Sequence, residues 1–132
     1  METFTNSAEL DARIANKIFG WKDFRIIAGT HEPLARAFGR PPDGPKSMRG
    51  EVMECEVPHY STDMTTAWKI VNNFFETDNW NFEIVSDQGE LNCWVAEFSR
   101  LPSGKKYLGE ADTPSVAICI AALKAAEGSE TA

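Results

Sequence analysis

Val57-Pro-His-Tyr-Ser-Thr-Asp63, followed by Met64-Thr-Thr-Ala-Trp68-Lys-Ile-Val71-Asn-Asn-Phe74-Phe75, is the stretch whose reading decides the fold. Pro58 biases Val57 toward extended backbone. Ser61, Thr62 and Asp63 each carry an oxygen able to cap the amides that a helix start leaves unpaired. Met64, Ala67, Trp68, Val71, Phe74 and Phe75 then recur at helical spacing, which predicts a helix with one wide apolar stripe. On this reading Trp68 belongs to the core, and Trp68→Ala costs roughly 3–5 kcal/mol. Upstream, Glu54 and Glu56 interleave with Cys55 and Val57, so a short extended segment leads into the helix.

Past the helix, Trp80, Phe82 and Ile84 fall on one side of a strand, with Asn81, Glu83 and Val85 on the other. Asp87-Gln-Gly-Glu90 predicts a turn, and residues 91–98 the returning strand. Leu91, Cys93 and Val95 occupy one face of that strand and Trp94, Ala96 and Phe98 the other, so both faces are expected to be partly buried. A loop over 99–106 precedes Tyr107-Leu-Gly109, a third strand. Thr113 as cap, Pro114 at the first helical position and Gly128 past the end frame a last helix. Its residues 116–126 are apolar nearly all round, which predicts burial, and residues 129–132 are expected to fray.

Toward the N-terminus, Ser7 opens a helix with Leu10, Ile14 and Ile18 four residues apart and Gly20 as its stop. Asp11, Arg13, Asn16 and Lys17 are assigned to the wet side, and Trp21 is expected to fold back on the helix end. Phe24 to Ala28 reads as a short strand. Gly29, Pro33, Gly39, Pro41, Pro42, Gly44, Pro45 and Gly50 predict an irregular insertion over 29–50, with one helical turn from Leu34 to Phe38. Helices above and below a small antiparallel sheet satisfy the two-faced strand. The expected class is α+β, a three-layer α-β-α sandwich in a single domain over residues 1–132.

A chain of 132 residues is long enough for a core without disulfides or a structural metal. Its net charge of −7 argues against general nucleic-acid or membrane-surface binding, both of which want a basic excess. Cys55, Cys93 and Cys119 are odd in number and form no CxxC pair, the pattern of reduced thiols in a cytoplasm. No secretion signal and no membrane-length apolar window is read, so a cytoplasmic setting is expected.

Three ordered blocks carry a resemblance. Leu10-Asp-Ala-Arg-Ile-Ala-Asn-Lys-Ile-Phe-Gly-Trp21, Val57-Pro-His-Tyr-Ser-Thr-Asp63 with Ala67-Trp68, and Pro114-Ser-Val-Ala-Ile-Cys-Ile-Ala-Ala-Leu123 together resemble the phage αβα-sandwich domain family. The resemblance implies a small phage or prophage protein acting inside a bacterial cell, with no family-wide catalytic residues. The segment 29–50 stands outside the recognisable pattern.

Candidate site residues come from two sources. His59, Tyr60, Ser61 and Thr62 form the entry to the central helix, where hydroxyls and free amides favour a phosphate or carboxylate; Asp63 opposes an anion there, and a plain cap accounts for the same residues. Arg36, Arg40 and Arg49, with Lys46, lie in the irregular segment, and Arg100, Lys105 and Lys106 lie in the loop after the hairpin. In an acidic protein, two basic loops could converge on a phosphorylated small ligand; solvated loop charges are the plainer account. Ser103-Gly104-Lys105-Lys106 lacks the first glycine and final hydroxyl of a P-loop. Cys55 and His59 stand too far apart in an extended chain to act as nucleophile and base. His31 and His59 are the only histidines, so neither a metal nor another cofactor is expected.

The reading that follows is a non-enzymatic phage accessory protein. It would counter host defence by binding and sequestering a nucleotide-derived immune signal. A protein–protein inhibitor of a host enzyme and a small nucleotide-processing enzyme are the alternatives. The expected partner is a small anionic ligand or a host protein, and self-association is expected.

Overall fold

The start of the central helix is built as its sequence dictates. The Asp63 carboxylate accepts from the Thr65 amide at 3.0 Å and from the Thr66 hydroxyl at 3.0 Å, so Asp63 is the cap. The computed structural model describes residues 7–27, 36–77, 79–87, 93–100 and 103–128. The turn at 88–90, Leu34 and residues 129–132 lie outside the described residues. The chain forms two compact units, Met1–His59 and Tyr60–Ala132.

In the first unit, α1 (Ser7–Phe19) ends at Gly20, whose φ of +76° only glycine adopts without strain. The Trp21 amide then donates to the Ala15 carbonyl at 3.0 Å, closing the helix end as the sequence implied. Leu10, Ile14 and Ala15 are buried, and so is Asp11, at 3% exposure. This corrects its assignment to the wet side. Asp11 stands three residues from Ala8 and Ile14 and four from Ala15, so it falls inside the buried arc.

β1 (Lys22–Ile27), β2 (Arg36–Arg40) and β3 (Cys55–Glu56) form an antiparallel sheet in that order. The helical turn expected to end at Phe38 is therefore strand. Ala37 and Gly39 point inward and Arg36, Phe38 and Arg40 outward, a two-residue alternation. Residues 41–54 are tied by their own bonds: Lys46 bridges Val52, the Ser47 amide donates to the Glu51 carbonyl at 2.7 Å, and Gly50 turns at φ +83°.

In the second unit, α2 (Met64–Thr77) precedes β4 (Trp80–Asp87), β5 (Cys93–Arg100), β6 (Lys105–Ala111) and α3 (Pro114–Glu127). The strands form a second antiparallel sheet in chain order, so the chain has two small sheets where one was expected. The α+β class stands. The Phe74 ring lies 4.5 Å from Phe98 and 5.1 Å from Trp80, and Phe82 packs at 4.9 Å on Phe98. Trp80, Phe82, Phe98, Tyr107 and Gly109 share one sheet face through the register, and α2 and α3 both cover that face. α3 starts at Thr113, whose hydroxyl accepts from the Val116 amide at 3.4 Å, and ends at Gly128, φ +73°.

The apolar stripe of α2 is wider than the arc it buries. Ala67, Ile70, Val71 and Phe74 are buried, whereas Met64, Trp68 and Phe75 are 39%, 44% and 49% exposed. Trp68 is not core. It touches Phe82 edge-on at 5.7 Å and leaves its other side open, so the cost reckoned for a buried tryptophan does not apply.

Candidate functional site

Among the described residues a well-formed concavity lies in the first unit and begins with the stop at Gly20. That turn starts β1 at Lys22, opposite Arg40 in the register. The ladder slips between Lys22 and Arg25, and Asp23 takes a positive φ of 57° there, a conformation aspartate tolerates better than most side chains. Phe24 then turns inward, its ring pressed so closely on Gly39 that a Cβ there would sit 2.8 Å from ring carbons. The bulge leaves Lys22 and Asp23 beside Arg40, at the mouth of a pocket of about 460 Å³. Pro41 and Pro42 form one wall and Glu51 and Val52 another. The volume is within the range of small-molecule sites.

Two cations and two carboxylates line this pocket. Arg40 meets Asp23 at 3.7 Å, which is long for an ion pair, and among the described residues Lys22 makes no ion pair. A ligand with anionic groups for Lys22 and Arg40 and hydroxyls for Asp23 and Glu51 would match the lining chemically.

Next to it, the outward face of the first sheet is a closed charge ladder. Arg25 grips the Glu54 carboxylate, Nε at 2.9 Å from both oxygens and Nη2 at 2.6 Å from Oε1. Arg36 grips Glu56 at 3.0 and 2.7 Å. Both guanidinium groups lie over the Phe38 ring, at 4.9 and 5.2 Å from its centre. The hydrogen bonds from Arg25 and Arg36 hold the Glu54 and Glu56 carboxyls below their ordinary range, and the same bonds raise the arginines. A carboxylate depressed in the folded state stabilises above its unfolded pKa and loses that contribution as pH falls through its folded pKa. A Glu54→Gln, Glu56→Gln double variant should therefore show a flatter melting temperature than the parent as pH falls below about 4.5, with the two profiles converging in acid. Parallel profiles over that window would show that the ladder contributes nothing.

The ten residues singled out from the sequence divide between the units. In the first, Arg40 lines the pocket; Arg36 is held by Glu56, His59 Nε2 sits 3.3 Å from the same carboxylate, and Arg49 is exposed in the turn at 47–50. In the second, Tyr60 and Ser61 are buried, at 4% and 1% exposure, and Thr62 is exposed. The Ser61 carbonyl accepts from the Ser115 hydroxyl at 2.7 Å, which gives this turn a structural role. Arg100 stacks over Trp80 at 5.6 Å, Lys105 is its register partner, and Lys106 approaches Glu97 at 3.8 Å. Lys22, Asp23 and Glu51 are the pocket residues that sequence reading missed. Of these only Asp23 had a local signal, an aspartate three residues past the glycine helix stop.

Among the described residues no helix is long and apolar enough to cross a membrane. No curated protein and no solved structure matches the chain. The model of one family, the phage ABA sandwich domain, matches residues 12–123, which takes in α1 from Ala12 onward, both sheets and α2, and extends into α3. The chain belongs to the phage ABA sandwich domain family.

Proposed function

We propose that this phage-family protein works by binding, without chemistry of its own, and that it holds a small anionic ligand of the nucleotide class in the Lys22–Arg40 pocket. In the cytoplasm of an infected or lysogenic host, such a protein would counter defence by withdrawing a nucleotide-derived signal. The observation that carries the reading is the pairing of Lys22, without an ion pair among the described residues, and Arg40, loosely held at 3.7 Å, at one mouth of about 460 Å³. Cations whose charge is already satisfied, as in Arg25 and Arg36, offer an incoming phosphate little; Lys22 and Arg40 offer it a charge-assisted contact. The proline wall supplies an apolar surface for a base.

Thermal denaturation against cyclic dinucleotides and ADP-ribose derivatives tests this directly. A true ligand at about a hundred times its Kd adds on the order of 2.7 kcal/mol, a rise of several degrees. Lys22→Ala with Arg40→Ala should abolish that rise without lowering the ligand-free melting temperature appreciably, since both side chains are exposed. Flat curves across the panel overturn the small-ligand reading. A ligand recovered chemically altered after incubation overturns the non-enzymatic one.

A further inference from the structure

Among the described residues the two sheets present four edges, and three carry protection against pairing. β1 is bulged and bears Lys22 and Arg25, β3 is two residues long, and β6 opens on Lys105 and Lys106. β4 has no bulge and no basic side chain, and Glu83 is the one charge along its middle. It pairs with β5 at eight consecutive positions without a bulge, holds no proline or lysine, and has no strand on its other side. Such a long, flat edge is a template for another strand. Beside it, on the helix-bearing face, lies the uncovered part of α2: Trp68 rests on Phe82 of β4 yet is 44% exposed, with Met64 and Phe75 open on the same stripe. On the opposite face Val85 is 46% exposed. Open backbone and open apolar surface are neighbours within one unit.

We propose that this edge and stripe form a two-fold interface with a second copy of the chain, β4 pairing antiparallel with β4 of the second copy and α2 packing beside its α2. Avoidance of like charges, together with the length paired, selects the register. Centred on Glu83, the pairing sets that carboxylate against itself; centred on Val85, it pairs only 83–87 of the strand. Centred on Phe82, it pairs only 80–84 of the strand. Centred on Ile84, it pairs 81–87, with Glu83 opposite Val85 of the second copy, so that carboxylate meets no like charge. A two-fold axis normal to the sheet keeps both α2 helices on one face, so the two Trp68 stripes come together. Three half-exposed side chains leave only roughly 300 Å² open. A standard interface needs about 800 Å² from each partner, so contact between stripes requires the strand pairing as well.

The register makes a signed prediction, read by sedimentation equilibrium on the full chain. Val85→Glu sets two Glu–Glu contacts across the axis and should raise the dimer Kd about tenfold; Val85→Lys sets two Lys–Glu contacts and should hold or lower it. Both substitutions are at an exposed position, and unchanged melting of the monomer shows that the fold is kept. Trp68→Ser should weaken the dimer as well. A wild-type chain that stays monomeric at high concentration overturns the proposal, as does a dimer whose Kd moves equally for Val85→Glu and Val85→Lys.

Discussion

Phe98→Ala is expected to lower the unfolding free energy by about 3–5 kcal/mol, a fall in melting temperature on the order of 10–20 °C. Phe98 is fully buried at the centre of the aromatic cluster, with ring centres at 4.5 Å to Phe74, 4.9 Å to Phe82 and 6.4 Å to Trp80. It is also the register partner of both Phe82 and Tyr107, so it links all three strands of its sheet. Removing the ring deletes contacts to both neighbouring strands and to α2 at once, and the three surrounding rings are too rigid to close the gap. Phe98→Leu, which refills much of the volume, should recover more than half of the loss. Chemical denaturation of the two variants measures both quantities. A Phe98→Ala loss below about 1 kcal/mol would place Phe98 outside the core.

Such a residue was legible because its signals are local. Thr113-Pro114 and Gly128 mark both ends of α3, and Gly20 marks the end of α1, since capping chemistry acts within a turn. The alternation of Trp80, Phe82 and Ile84 likewise fixes which face of β4 meets the helices. Signals that depend on distant partners were lost. Arg36–Arg40 is a strand because β1 and β3 flank it, and no spacing within Ala37-Phe38-Gly39 reveals that. Helical spacing shows that Met64, Trp68 and Phe75 are apolar, but how wide an arc is covered is set by the sheet underneath.

The candidate site divides along the same line. Arg40 was identified by its charge alone. Arg36 carries the same charge signal, but Glu56 holds it through strand pairing, and His59 lies beside the same carboxylate. Lys22 and Asp23 enter the pocket through a bulge, which is a property of two strands together and not of either sequence. A basic residue's availability, unlike its presence, is a tertiary fact.

The contact between α3 and its sheet rests on a single missing methyl group. Gly109 lies on β6 where the helix passes directly overhead: a Cβ there would stand 2.5 Å from the Ala121 amide nitrogen, closer still to the Ala117 carbonyl oxygen, and 3.1 Å from the Ile120 Cβ. Two of these three neighbours are backbone atoms of a regular helix, so no rotamer change relieves the clash. Gly109→Ala must instead lift α3 from β6. That strips cover from Ala117, Ile118 and Ala121, all fully buried, and loosens packing across β5 as well. Overpacking of a close-packed core costs about 1–3 kcal/mol where side chains can adjust, and a backbone clash belongs at or above the top of that range. In an open strand the same substitution would stabilise slightly, because alanine has less conformational freedom to lose than glycine. The sign of the effect therefore reports the distance between helix and sheet. Gly104→Ala serves as the contrast: its positive φ of 76° makes the substitution mildly unfavourable, but nothing lies within 4 Å of the added methyl. Equilibrium unfolding should show Gly109→Ala losing at least about 2 kcal/mol more than Gly104→Ala. Equal losses would mean that α3 does not approach the sheet this closely.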